Sequence, residues 1–390
     1  MTGRSSAFPV GVAVVEADLE TDLHGTLARL RSVEPVSWVA CLGAWVVTRR
    51  DLAVEAMRDS MSFTVDDPRF STGQVLGPSM LSLDGAQHTR HRDPFADAFR
   101  SAEVRRRFTD DVRSLADVMI AEFQPAAHAE LRRQLAGPLA VRVMALALDL
   151  IDGHPATLLS WYDDIVAAVT TASTGTVHDA PTPPAVNQLA ASVRATIESG
   201  TGVLSTAARS LTLDEIVSNT GVMLFGGIET CEGMTTNVLA HLLDDPAWWS
   251  VVDAERSLIA NAVDESLRLE PAAARVDRFA TRDIAFGGAP IQRGDFVIIS
   301  LAAANRDPQV FADPDRFDPR RANTKQHLAF AHGPHACPGM HLARLETQAA
   351  VAAALDGLPG LRLDPDAPAP QAVGTVFRKP DRLDVIWDVT

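Results

Sequence analysis

A mainly α fold with a small β portion is predicted by three observations. Apolar residues recur at three- and four-residue steps through most of the chain. One such run continues for roughly 30 residues after a helix-starting motif. Strand signals are few and clustered. The chain has 390 residues, 46% of them apolar, which suffices for a sizeable globular core. Lysine plus arginine total 35 against 50 acidic residues, a net charge of −15. That balance argues against nucleic acid or an anionic membrane as the main partner. Only Lys325 and Lys379 are lysines, so cationic contacts fall mostly to guanidinium groups.

The elements follow in order. The first 15 residues lack the charged, apolar and cleavage regions of a signal peptide. Residues 38–48 alternate loosely around Gly43 and read as strand. Residues 103–122, 131–150 and 156–171 read as amphipathic helices, and residues 174–184, with Pro181, Pro183 and Pro184, as a loop between helices. The stretch 137–150 contains Arg142 and Asp149, so it is expected to be a buried helix rather than a membrane span. Thr212-Leu213-Asp214-Glu215 is a capping box, and helical pattern runs from it to Leu243 before Pro246. Such a helix is about 45 Å long at 1.5 Å per residue, and its apolar middle is expected to thread the core. Residues 283–300 read as a hairpin-rich patch turning at Gly287 and Gly294, residues 305–321 as an irregular meander, and residues 345–355 as helix. No repeat or low-complexity linker marks a boundary, so residues 1–390 are expected to form a single domain. Cys41, Cys231 and Cys337 are far apart and odd in number, implying no disulfide framework and a cytoplasmic protein.

The most informative stretch is residues 330–346, Phe-Ala-His-Gly-Pro-His-Ala-Cys-Pro-Gly-Met-His-Leu-Ala-Arg-Leu-Glu. Gly333, Pro338 and Gly339 around Cys337 suit a tight loop whose amides face a sulfur. Cys337 also stands just before a helix amino terminus, where the dipole favours thiolate over thiol. A thiolate there is a metal ligand or a nucleophile. Two other readings stay open on the loop alone: a small buried structural cysteine, and a zinc site from His332, His335, Cys337 and His341, whose spacing matches no common zinc pattern.

The loop resembles the haem-binding segment of the cytochrome P-450 haem-thiolate monooxygenases, F-x-x-G-x-H/R-x-C-x-G, at Phe330, Gly333, His335, Cys337 and Gly339. Ala331 stands where the bacterial form commonly has glycine. Further motifs occur in register. Glu265 and Arg268 match the E-x-x-R pair, and Arg316 the meander arginine that joins it in a buried ion network. Gly226-Gly227-Ile228-Glu229-Thr230 resembles the oxygen-binding signature, with Cys231 where threonine or serine is more usual. His88 and Arg92 match the H-x-x-x-R helix, and Arg278 fits a propionate contact.

The resemblance implies the cytochrome P-450 fold, a triangular helical prism with a long central helix over haem b (iron protoporphyrin IX). Cys337 would be the axial thiolate to the iron, with His88, Arg92, Arg278, His335, Phe330 and Gly339 binding the cofactor. Glu229 and Thr230 would form the acid–alcohol pair of proton delivery. The family's activity is oxygen insertion from O2 into a small organic substrate, with electrons from a ferredoxin and an NAD(P)H-dependent ferredoxin reductase. Arg105, Arg106, Arg107, Lys325, His341 and Arg344 are the expected docking patch. By position, the pocket walls are residues 63–81, 161–174, 222–227 and 272–274 with Val376 and Phe377. Val222, Gly226, Gly227, Ala273 and Phe377 would line a pocket for a fairly bulky apolar molecule. A peroxygenase and a non-enzymatic haem sensor or carrier are the rivals. The acid–alcohol pair speaks against the first.

Overall fold

The computed structural model describes residues 7–150, 153–173 and 183–388. The chain divides into two compact units, one of Met1–Thr64, Gly233–Cys337 and Gly360–Asp388, the other of Val65–Glu232, Pro338–Pro359 and Val389–Thr390.

In the first unit, β1 (Val36–Val39), β2 (Ala44–Val47), β3 (Phe63–Thr64), β4 (Arg275–Ala280), β5 (Ile284–Phe286), β6 (Ala289–Ile291) and β7 (Phe296–Ser300) carry most of the β structure, and short strands follow between Arg362 and Ile386. The main sheet runs β1-β2-β7-β4-β3. β1 and β2 are the expected strands either side of Gly43, which closes their turn at φ +58°. β2 lies parallel to β7, with Trp45 opposite Val297, and β7 lies antiparallel to β4, with Arg275 opposite Ser300. Strand β7 is central, so both of its faces are covered, and Val297, Ile298 and Ile299 are all buried. The expected turns lie at Gly287 and at Gly294, where φ is +85°. Residues of β5 turn at Gly287 and Gly288, both with positive φ, onto β6. Strand β4 gave no signal, because Arg275, Asp277 and Arg278 break its apolar alternation. Two cores cover the sheet. One gathers Trp45, Met57, Phe63, Phe286 and Leu328, and the other Leu19, Leu23, Leu27, Leu30 and Ile298. Trp45 is fully buried, so its indole N–H needs a partner, and it donates to Asp295 Oδ2 at 2.9 Å.

The second unit is helical. Its Ser101–Phe123 and Met340–Gly357 helices pack together, and a Cβ on Gly357 would sit 2.5 Å from Ile120 Cγ2, so only glycine permits that approach. The helix expected over 131–150 is continuous only from Gly137 to Leu148. It is preceded by a π-helical turn, Arg132–Ala136, beside Pro138, whose missing N–H removes an α-helical donor. Residues 156–171 lie in the helix Pro155–Ser173. The loop expected over 174–184 lies, for residues 174–182, outside the described residues. Residues 63–81, expected as a loop, include a short helix, Ser71–Leu76.

The long helix is Leu213–Asp244, 32 residues, passing from the second unit to the first at Gly233. Its capping box forms as expected: Thr212 N donates to Glu215 Oε2 at 2.9 Å, and Glu215 N to Thr212 Oγ1 at 3.4 Å. Val222, Leu224 and Phe225 are buried. Among the described residues no helix is long and apolar enough to cross a membrane.

Candidate active site

In the first unit the cysteine loop hangs from a buried ion network. Helix Ile259–Leu269 is buried along its last turns, and there Arg268 grips Glu265 through two hydrogen bonds, Nε–Oε2 at 2.8 Å and Nη2–Oε1 at 2.9 Å, both side chains being 0% exposed. A buried pair is tolerable only with its remaining donors and acceptors satisfied. Arg268 Nη1 meets the carbonyls of Asn305 and Pro314, and Asp318 N donates to Glu265 Oε1. The second guanidinium on Glu265 is that of Arg321, at 2.9 Å, rather than that of Arg316 as the motif suggests. Arg316 is exposed and contributes its main-chain carbonyl, which accepts from Arg268 at 3.1 Å and Arg321 at 3.0 Å.

From this network the order passes to the loop. Asn305 Oδ1 accepts from Leu328 N at 2.6 Å, and Leu328 O accepts from Ala331 N at 2.8 Å. Ala331 then adopts φ +56°, the left-handed conformation that explains glycine's usual presence there. Gly333 follows at φ +76°, and a Cβ on it would lie 2.6 Å from Met57 O, so no side chain fits. Gly333–His335 forms a single 3₁₀ turn, and Cys337 N closes the loop onto Phe330 O at 2.8 Å. Cys337 is half-buried. Arg278, on β4, is 4% exposed, and its Nη1 donates to Asp277 O at 2.8 Å. The Asp277 carboxyl is raised above the usual range by burial, against the pull of Arg275 and Arg278.

Ala273 and Phe377, expected on the pocket wall, form an antiparallel bridge. It is framed by Ala274 N to Val376 O at 2.8 Å and Arg378 N to Ala272 O at 2.9 Å. A buried cluster holds it in place: Arg378 donates to Glu270 at 2.7 Å, and Asn237 Nδ2 reaches Arg378 O at 3.0 Å. Burial would raise Glu270, but His24 and Arg378 bring it down to about 2. Sequence reasoning missed this cluster, because its members lie far apart in the chain.

In the second unit, helix Gly85–Ala96 puts His88 and Arg92 one turn apart on one face, with His88 buried and Arg92 half-buried. The next turn is tied to the long helix: Asn219 Nδ2 lies 2.9 Å from His91 Nδ1, and Arg90 pairs with Glu215. On the long helix the two glycines differ in function. A Cβ on Gly227 would lie 2.3 Å from Met144 Sδ, so Gly227 serves helix packing. A Cβ on Gly226 would meet nothing within 4 Å, so open space lies beside it.

Thr230 Oγ1 donates back to Gly226 O at 2.5 Å, leaving its lone pairs to accept. Glu229 accepts a hydrogen bond from the hydroxyl of Tyr162, the chain's only tyrosine, on the Pro155–Ser173 helix. Nothing in the sequence pairs these residues, which lie 67 positions apart. Cys231 is buried and shares a hydrogen bond with Glu346, whose carboxyl is pushed up to about 8 by burial.

Each unit carries groups that suit the cofactor the resemblance implies: the first a half-buried cysteine in a glycine-shaped loop and the buried Arg278 guanidinium for a carboxylate, the second the buried His88 imidazole and free space beside Gly226. These groups do not fit zinc. Among the described residues no group of three or more histidine, cysteine, aspartate or glutamate side chains is placed to hold a metal ion.

The family model described as Cytochrome P450 matches residues 191–358. The chain is 32% identical to cytochrome P450 monooxygenase PikC of Streptomyces venezuelae, over 93% of this chain and 90% of that one. It is 31% identical to vitamin D3 dihydroxylase of Streptomyces griseolus, over 88% of each. The crystal structure of CalO2 superposes with a TM-score of 0.86 at 25% identity, covering 96% of this chain and 98% of that one. With sequence likeness across nearly its whole length and the same fold, the chain belongs to the cytochrome P450 family, and it is a cytochrome P450 monooxygenase.

Proposed function

We propose that this monooxygenase inserts one oxygen atom from O2 into a bulky, fairly apolar small molecule, drawing electrons from a ferredoxin and its NAD(P)H-dependent reductase. The observation that carries the reading is the closed loop Phe330–Cys337 on the buried Glu265–Arg268–Arg321 network, because it presents one cysteine in a fixed, half-buried position. The family's cofactor is haem b, which supplies the redox chemistry on O2 when bound. Cys337 would hold it as thiolate, with Phe330 and Gly339 shaping the loop. His88, Arg92, Arg278 and His335 would hold its propionates through charge-assisted hydrogen bonds.

Glu229 would hold and move a proton at its carboxylate. Thr230, its own proton on Gly226 O, would accept and position water on its free lone pairs. In the second unit Val222 and Gly226 would supply apolar wall, and Gly227 lets the Met144 side chain approach the long helix; in the first, the bridged Ala273 and Phe377 would do the same. An apolar substrate agrees with this lining and with the vitamin D3 relative.

For the electron donor, the expected basic patch is smaller than its sequence suggests. Arg106 pairs with Glu103, and Arg107 with Asp149. Arg105 and Arg344 both lie close enough to His341 to lower its pKa, after burial, so these three cluster. They are the proposed contact for an acidic ferredoxin. The test is turnover under isotopically heavy O2 with NADPH, a plant ferredoxin and its reductase, over a panel of steroids and macrolactones. One heavy oxygen per product molecule is expected. Product formed equally well from peroxide alone, with no labelled oxygen incorporated from O2, would overturn the reading in favour of a peroxygenase.

A further inference from the structure

We propose that Tyr162 is a positioning residue for proton delivery, its hydroxyl holding the Glu229 carboxylate in the orientation from which it passes a proton. The inference rests on the role given above to Glu229 and Thr230, and it begins from the hydrogen bond that Tyr162 donates to Glu229.

Three observations favour a dedicated donor over an incidental contact. First, Tyr162 is buried and its helix is anchored beside it. Trp161, 3% exposed, donates its indole N–H to Gln188 Oε1 at 2.8 Å, on the helix Pro184–Glu198. The phenol therefore meets Glu229 from a fixed frame. Second, the surroundings keep that phenol protonated. Burial comes first, followed by the Glu229 charge and hydrogen bond and then the charges of Glu232 and Asp163, and all push its pKa above the ordinary value of 10.0. Of these acids, Glu232 is matched by Arg132, whose Nε lies 2.7 Å from it, and the Asp163 carboxyl is itself raised by burial and by Asp164 and Glu232. A phenol whose pKa is raised in this way stays protonated at neutral pH and offers its proton to the carboxylate. Third, the neighbouring alcohol cannot do this. The Thr230 proton is directed at Gly226 O, so it is not available to orient the carboxylate.

A carboxylate that swings through solvent delivers protons without regard to timing. One that is held by a neutral donor keeps a fixed orientation. Tyr162 is not itself the proton source. Removing its hydroxyl takes this hold on the acid away, and O2 then leaves after taking two electrons from NADPH and two protons, as hydrogen peroxide.

The test uses the haem-loaded, full-length protein in two measurements. In the first, tyrosine labelled with carbon-13 at Cζ gives a single resonance, because Tyr162 is the only tyrosine. In the reduced, carbon-monoxide-bound form, Glu229→Gln is expected to move that resonance, and wild type is expected to show no tyrosinate shift at pH 10. A resonance unmoved by Glu229→Gln overturns the proposal at its contact.

The second measurement is peroxide released per NADPH consumed, with plant ferredoxin and its reductase and no organic substrate. Tyr162→Phe is expected to raise this ratio at least about twofold, in the same direction as Glu229→Gln, with the double variant matching Glu229→Gln alone. If Glu229→Gln raises the ratio and Tyr162→Phe matches wild type, Glu229 keeps its role and the positioning inference fails. If Glu229→Gln itself matches wild type, the acid–alcohol reading fails and takes the inference with it. An unchanged red-shifted carbon-monoxide band in each variant shows that the comparison is between folded enzymes.

Discussion

Cys231 stands where a second hydroxyl would be expected after Thr230, and the structure gives it an acid for a partner. Glu346 is 1% exposed, and its carboxyl is neutral at pH 7, because burial raises its pKa to about 8 from an ordinary 4.5, a rise reduced a little by the Cys231 bond. A raised carboxyl binds its proton more tightly in the folded state than in the unfolded one, so it costs stability as pH rises from 4.5 to 8. Glu346→Gln keeps the shape and removes that cost. It is therefore expected to raise the melting temperature at pH 8, by a stability gain on the order of 4 kcal/mol. The gain should shrink with falling pH and vanish below about pH 4.5, and an equal gain at pH 8 and pH 4.5 would show that the effect is packing alone. Cys337 was legible in the sequence because its signal is local, a pattern of glycine, proline and histidine within ten residues. Tyr162, Cys231 with Glu346, and the Arg378 cluster were not, because each is a pairing made only by tertiary structure.

The network around helix Ile259–Leu269 shows what a motif specifies and what it leaves open. The pair Glu265 and Arg268, three residues apart on one helix, was readable and lies where expected. The third member was misassigned, since the side chain of Arg316 points to solvent and Arg321, five residues on, takes its place. Arg321→Ala leaves a buried carboxylate short of a charged partner and should cost about 3–5 kcal/mol. Arg316→Ala should stay within about 0.5 kcal/mol, as its carbonyl remains. Denaturant melts of the two variants decide between them. The arginine-rich helix start gives a second contrast. Arg105→Glu and Arg344→Glu should slow electron transfer from ferredoxin several-fold at low salt, and Arg106→Glu, already paired with Glu103, should not. Stopped-flow reduction would measure all three, and equal slowing by Arg106→Glu would remove the assigned patch.

Across the whole chain, the buried titratable groups set the pH range of stability. His241, buried against Phe317 and 3.0 Å from Ser266, is lowered to about 4 from 6.5, by burial first. A neutral buried histidine costs stability as pH falls below 6.5, because the unfolded chain then takes up a proton that the fold does not. Between 4.5 and 6.5 this slope is opposed by that of Glu346. Below 4.5, Glu270 and Glu215, both lowered to about 2, lose their pairings as well. The melting temperature is expected to form a plateau from about pH 4.5 to 6.5 and to fall on either side. A scan with a single sharp maximum above pH 8 would contradict these assignments. The mainly helical class, the 32-residue helix and its cap were legible at this scale, because periodicity and capping are properties of contiguous sequence. Strand β4 was not, since three charged residues within it obscure a pattern that only its neighbours β7 and β3 complete.

The central claim is that Cys337 is the thiolate that holds haem. The measurement that tests it most directly is the visible spectrum of the purified protein, reduced with dithionite and exposed to carbon monoxide, for wild type and Cys337→Ser. Wild type is expected to show the strongly red-shifted Soret band of thiolate ligation, and Cys337→Ser to lose that band while keeping its melting transition. A red-shifted band that survives in Cys337→Ser, or a wild-type band at the shorter wavelength of histidine or neutral-thiol ligation, would contradict the account.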